Sequence, residues 1–162
     1  MKVLVWVVIA VGLLLGVLRF GCPMAHRMWA SQVVPPPPNS AQLKDAEKLM
    51  ELKLPPSARA VAWNYISALD YYMFLKVEIG PSELQALIQN SPFATMTLNS
   101  KEHDFYDGVG GSWWDDGGQA QRFLFGDTPL PQGQQYQDRQ LQILVDMDRK
   151  DVYVVYLALF GD

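Results

Sequence analysis

The chain has 162 residues and a net charge of -4 at pH 7, enough for one ordinary domain and too few for two once a terminal segment is set aside. Only Lys2, Arg19 and Arg27 are charged before Asn39, so residues 40–162 hold all 17 acidic side chains against the other 10 basic ones, a net -7; such a surface repels phosphate backbones and excludes nucleic acid as a partner. With 49% apolar residues, among them 7 Phe, 7 Tyr and 5 Trp, the composition is that of a folded chain, and its sole cysteine, Cys22, allows no intramolecular disulfide.

Val3 to Leu18 reads VLVWVVIAVGLLLGVL between Lys2 and Arg19. As a helix this run spans about 24 Å, short of a hydrocarbon core of about 30 Å. Snorkelling of Arg19 and the apolar residues from Phe20 to Ala25 make up the difference. Residues 1–30 are therefore predicted to be an uncleaved single transmembrane helix. A cleaved secretory signal shares the charged start, but no small-residue cleavage site follows. Gly21-Cys22 resembles the end of a lipobox, yet Leu18-Arg19-Phe20 departs from the Leu-small-small pattern before the cysteine. Cys22 is expected to be an inert thiol at the membrane interface. A very short basic leader before an apolar run is how export signals begin, which places the N-terminus inside and the domain in the periplasm or exterior of a bacterial inner membrane.

Residues 31–39 contain Pro35-Pro36-Pro37-Pro38, which favours a stiff polyproline II spacer. The domain then runs over 40–162. Asn39 or Ser40 caps a helix expected to reach about Leu52, with Leu43, Ala46, Leu49 and Met50 on one face, stopped by Pro55-Pro56. Ala58 to Ile66 and Tyr71 to Ile79 alternate as two strands of a hairpin turning around Ser67 to Asp70. Gly80-Pro81-Ser82-Glu83 opens a second helix, with Ser82 and Gln85 at capping-box spacing and Ser91-Pro92 as its close. Ala94 to about Gln121 lacks periodicity. Phe123-Leu124-Phe125 is a short strand, and Leu141 to Met147 pairs with Val152 to Phe160 across a turn at Asp148 to Asp151. The last strand is apolar on both faces and is expected in the centre of the sheet. The fold class that follows is α+β, an antiparallel sheet of about five strands with two helices on one face, preceded by the transmembrane helix.

Chemistry concentrates between Lys101 and Gly118, where aromatics, five glycines and five carboxylates accompany His103. A long loop of this kind is often functional. Trp113, Trp114, Tyr106 and Phe105 are the candidate binding residues. Adjacent tryptophans in an extended segment point to opposite faces, so at least one is expected at the surface. His103, Asp104, Asp107, Asp115 and Asp116 are the metal candidates, although their spacing matches neither a zinc site nor an EF-hand. Asp146, Asp148 and Asp151 are read as turn residues bonding to backbone. No G-x-S-x-G motif accompanies the lone His103, and no Gly-Lys-Ser/Thr follows Gly108 to Gly111. No catalytic residue and no cofactor is assigned.

Leu54-Pro55-Pro56-Ser57-Ala58-Arg59 with the strand to Ile79, and Gln142-Ile143-Leu144-Val145-Asp146 through Val152-Tyr153-Val154-Val155-Tyr156, resemble parts of small membrane-anchored or lipoprotein-like bacterial envelope proteins of unknown function. The resemblance rests on a turn and two hairpins and implies no activity. Some envelope proteins of this build act as immunity proteins against secreted toxins. The expected partners are the membrane and another protein, which makes the chain a non-enzymatic binding or assembly-accessory protein. The alternative is a membrane-tethered, metal-dependent hydrolase using the 102–116 loop.

Overall fold

A computed structural model describes residues 35–67, 71–102, 104–105, 112–115, 119–131 and 138–161. The apolar segment from Val3 to Leu18, Cys22, Tyr106, His103, Asp107 and Asp116 lie outside these residues. No helix among the described residues is long and apolar enough to cross a membrane.

Helix α1 (Ser40–Leu49) begins at a full capping box. The Asn39 amide oxygen accepts from the backbone N–H of Ala41 and Gln42 at 3.0 Å, and the Gln42 side chain accepts from Asn39 N–H at 2.9 Å. These bonds satisfy donors that a helix start otherwise leaves unpaired. The helix ends earlier than the pattern to Leu52 predicts. Glu51 adopts a left-handed φ of 53°, and the Arg139 guanidinium donates to the Leu49 carbonyl and, at 3.1 Å, to the Glu51 carboxylate. Glu51 thus takes the left-handed position that glycine usually occupies, with Leu52 N–H closing on the Glu47 carbonyl at 3.0 Å, and Arg139 adds a donor for the Leu49 carbonyl.

Five strands follow: β1 (Arg59–Ser67), β2 (Tyr71–Ile79), β3 (Phe123–Leu130), β4 (Arg139–Asp146) and β5 (Tyr153–Gly161). They form one antiparallel sheet in the order β1-β2-β5-β4-β3. The two-sided apolar strand β5 is central as expected, with Val155 to Leu159 buried without interruption. β1 carries a bulge between Ala60 and Ala62, which takes Val61 out of the alternation and puts Trp63 and Tyr65 on one face and Ala62 on the other. β3 is longer than Phe123-Leu124-Phe125, because Pro129 is tolerated on an edge strand whose outer N–H positions need no partner. Gly126 also belongs there. A Cβ at that position would lie 2.6 Å from Leu98 Cδ2 and 3.0 Å from Phe93 Cδ1, so a side chain there would force these residues to shift.

Helix α2 (Leu84–Gln89) is entered through a 3-10 turn at Pro81–Glu83. Its cap is made by Glu83 rather than by Ser82 and Gln85. The Glu83 carboxylate accepts from Gly80 N–H at 3.0 Å and from the Ser57 hydroxyl at 2.5 Å. Ser91 closes the helix, its hydroxyl donating to the Ile88 carbonyl at 2.8 Å.

Both faces of the sheet are covered. On one, Ala46 and Met50 at α1 and Leu87 of α2 join Met73, Leu75, Val77, Ile143, Leu157 and Leu159 in the main core. On the other, Ala62, Phe74, Leu144, Tyr156 and Ala158 pack against Phe105, Trp113 and Trp114. Phe105 and the Trp113-Trp114 pair therefore belong to a second covering layer. An antiparallel sheet often leaves such a face to water, but the apolar residues on both sides of β4 and β5 require cover.

Candidate functional site

Of the loop expected to bind a partner, Phe105, Trp113 and Trp114 turn their side chains inward. Residues Ser112–Asp115 form one helical turn, α3, so neighbouring side chains are about 100° apart rather than opposed. Both indoles then reach the sheet, and Trp113 and Trp114 are only 6% and 1% exposed. The expectation that at least one faces solvent is overturned, because it assumed an extended segment. Trp114 sits at the centre of an aromatic cluster, edge-on to Phe74 (5.0 Å between centroids), Trp113 (5.2 Å) and Tyr156 (5.4 Å), and stacked on Phe105 (5.3 Å). Phe105 is buried in the same cluster. Lys76 fastens this layer: its Nζ donates to the Trp113 carbonyl at 2.9 Å and lies 4.8 Å from the centre of the Tyr156 ring.

Of the metal candidates, Asp104 is exposed, and it is its backbone carbonyl that is held, by the buried Gln142 side chain at 3.3 Å. Gln142 also reaches Asp127 at 3.4 Å, and Gln140 donates to the other Asp127 oxygen at 2.6 Å. Asp115 contributes to α3, and His103, Asp107 and Asp116 lie outside the described residues. Among the described residues no three His, Cys, Asp or Glu side chains stand together as a metal set. The turn aspartates bond to backbone as expected. Asp148 accepts from Gln121 and Arg122 N–H at 2.9 and 2.8 Å, and Asp146 accepts from Asp148 N–H at 2.9 Å. The Asp151 carboxyl is held below its usual range by its own backbone N–H and then by Arg149.

A partly open groove lies on the other face of the sheet, at the β1 edge. A groove of about 310 Å³ runs between α1 and β1. Gln42, Asp45, Lys48 and Leu49 form its helical wall, and Trp63, Tyr65 and Met73 its sheet wall. Trp63 and Tyr65 alternate along β1, so they share a face and stack at 6.4 Å with 15° between planes. Tyr65 is 43% exposed, against 1% for Met73, which it opposes on β2. The cause is topological: among the described residues β1 has a strand neighbour on one side only, so its side chains pack against fewer strand neighbours than those of β2. Sequence periodicity identified these aromatics as strand residues but gave no sign that the strand is an edge.

No protein-family model matches the chain, and no curated protein or solved structure does so, so the assignment of a role rests on this geometry and on the sequence.

Proposed function

We propose that this chain is a single-pass protein of the bacterial inner membrane, anchored by Val3 to Leu18, whose domain faces the periplasm or exterior and binds protein rather than catalysing a reaction. The docking surface is the α1–β1 groove with the edge of β1 beside it. What supports this reading is the half-covered Trp63 and the exposed Tyr65 standing in a groove at an edge strand, since aromatic side chains in partly enclosed pockets are the usual anchors of protein interfaces. An exposed strand edge adds backbone hydrogen bonds to such a surface. Anchoring is supported by the apolar run and by the proline spacer between it and α1.

The test uses the full chain in cells, with Tyr65 replaced by a photoreactive phenylalanine analogue and Thr128, on the far edge strand, replaced in parallel. The chain is expected to fractionate with membranes, and position 65 to form a discrete crosslinked species that position 128 does not form. Recovery of the intact chain in the soluble fraction would remove the anchor, and equal labelling at both positions would remove the docking surface.

A further inference from the structure

The two edges of the sheet are not alike. On β3, Asn99 forms a bridge to Phe125, each N–H donating to the other's carbonyl at 2.7 Å. Pro129 withholds a donor from the same edge and Asp127 adds a charge. Such devices keep an edge from pairing with other chains. β1 has few of them: from Ala60 to Ser67 the strand contains no proline and no charged residue. Its one irregularity is the bulge near its start, and among the described residues no strand lies beyond it in the sheet.

We infer that the partner docked on this edge is a second copy of this chain, pairing β1 antiparallel to β1 about a two-fold axis through Asn64. The inference deepens the protein-binding reading above and rests on it. The domain's net -7 over residues 40–162 makes two copies repel in most orientations. The uncharged stretch of β1 is where that repulsion is least. Arg59, held by Glu78 at 3.0 Å, lies toward one end of the strand, so a two-fold carries the two Arg59 side chains to opposite ends of the pairing.

The register follows from parity and from the bulge. In an antiparallel pair, opposed side chains share a face, so a symmetric pairing must centre on a residue. Centring on Trp63 would set Val61, inside the bulge, against Tyr65. Centring on Tyr65 would run past the end of the strand at Ser67. Centring on Asn64 keeps 62–66 paired within the regular part. It sets Trp63 against the second copy's Tyr65, and Tyr65 against its Trp63, on the groove face. Cross-strand aromatic pairs of this kind are stabilising units of a sheet. Asn64 meets Asn64 on the other face, where two amides can bond to one another.

The same axis, normal to the sheet, keeps both α1 helices on one side. Both Asn39 positions, and the spacers leading to them, then start from that side, as two anchors in one membrane require. Membrane attachment also raises the effective concentration of one edge for the other.

The test uses the full chain in isolated membranes, with Cys22→Ser and Asn64→Cys so that position 64 carries the sole thiol. Opposed Cα atoms in such a pair lie about 4.5–5.5 Å apart, within reach of a disulfide. Mild oxidation should give a species of twice the chain mass, at least about tenfold more than Thr128→Cys gives. Tyr65→Lys, placed at an exposed position and checked for an unchanged circular dichroism spectrum, should reduce that yield at least about tenfold by setting a like charge into the edge. As a measurement that leaves Asn64 intact, the detergent-solubilised chain should have the mass of two copies and its Tyr65→Lys variant the mass of one. Equal yields from positions 64 and 128, or a single-copy mass for the unmodified chain, would overturn the inference. A photocrosslink from position 65 to a different protein, without dimer from position 64, would refute self-pairing and leave the protein-binding reading standing. Absence of both would refute the two together.

Discussion

Replacing Trp114 by alanine separates a core residue from a binding residue. Trp114 is 1% exposed and has four aromatic neighbours between 5.0 and 5.4 Å. Deleting a buried tryptophan side chain removes its transfer free energy and leaves a cavity, together costing about 3–5 kcal/mol. A solvent-facing tryptophan would cost no more than about 0.5 kcal/mol. The two outcomes differ several-fold, well outside measurement error. For a domain of this size the larger figure corresponds to a fall in Tm of about 10–20 °C. The assay is urea unfolding of a chain beginning at Asn39, followed in parallel by far-ultraviolet circular dichroism and tryptophan fluorescence. The two signals should shift together, because the loop layer and the sheet share one core. A loss below about 1 kcal/mol, or a fluorescence transition that moves while the dichroism midpoint stays, would show that this layer is not integral to the domain.

Arg139→Ala should cost about 2 kcal/mol by urea midpoint, since it strips the Leu49 carbonyl of its donor at the end of α1. The Glu51 ion pair adds little because that carboxylate is 39% exposed, and Arg139→Lys should restore only part, lacking the guanidinium fork. Lys76→Met keeps the apolar stem but loses the bond to the Trp113 carbonyl; it should lower stability by about 1 kcal/mol and speed amide exchange around 113–115 more than in β5. Burial raises the Tyr71 hydroxyl above its ordinary pKa of 10.0, with Arg139 pulling in the opposite direction. The unfolded chain therefore releases that proton first, so the contribution of Tyr71 is intact below pH 10 and is lost as pH rises through the folded value. Tyr71→Phe should flatten the alkaline fall in stability above pH 10, and an unchanged slope would mean that the hydroxyl ionises as freely in the fold as in the unfolded chain.

Much of the sheet was legible because strands advertise themselves by period. The alternation from Tyr71 to Ile79 and the two-sided run in β5 depend on residues that are neighbours in sequence, and both elements stand where that pattern put them. The start of α1 was legible for the same reason, its capping box lying within four residues. Its end was not. The donor to Leu49 is Arg139, 90 positions away, and no local pattern announces it. β3 was underread at Gly126 and Pro129, where a close approach and an edge position override strand propensity. The 112–115 turn was missed because no periodicity marks so short an element, whereas four residues suffice to direct two indoles the same way.

That misreading bears on function as well. Once β4 and β5 are apolar on both sides, a second covering layer is obligatory, and Phe105, Trp113 and Trp114 are consumed in providing it. A residue that seals a core cannot also lie open to a partner without exposing the face beneath, so the proposed docking surface falls where cover is incomplete. On the helix side that place is β1. Met73 and Leu75 of β2 are sealed, while their cross-strand neighbours Tyr65 and Trp63 are not. Stability alone would be served at that edge by charged or smaller residues, which guard a strand against pairing. A stacked Trp and Tyr beside an uncharged backbone edge does the reverse, and under the proposed self-pairing the second copy would supply both a strand and apolar side chains to that edge.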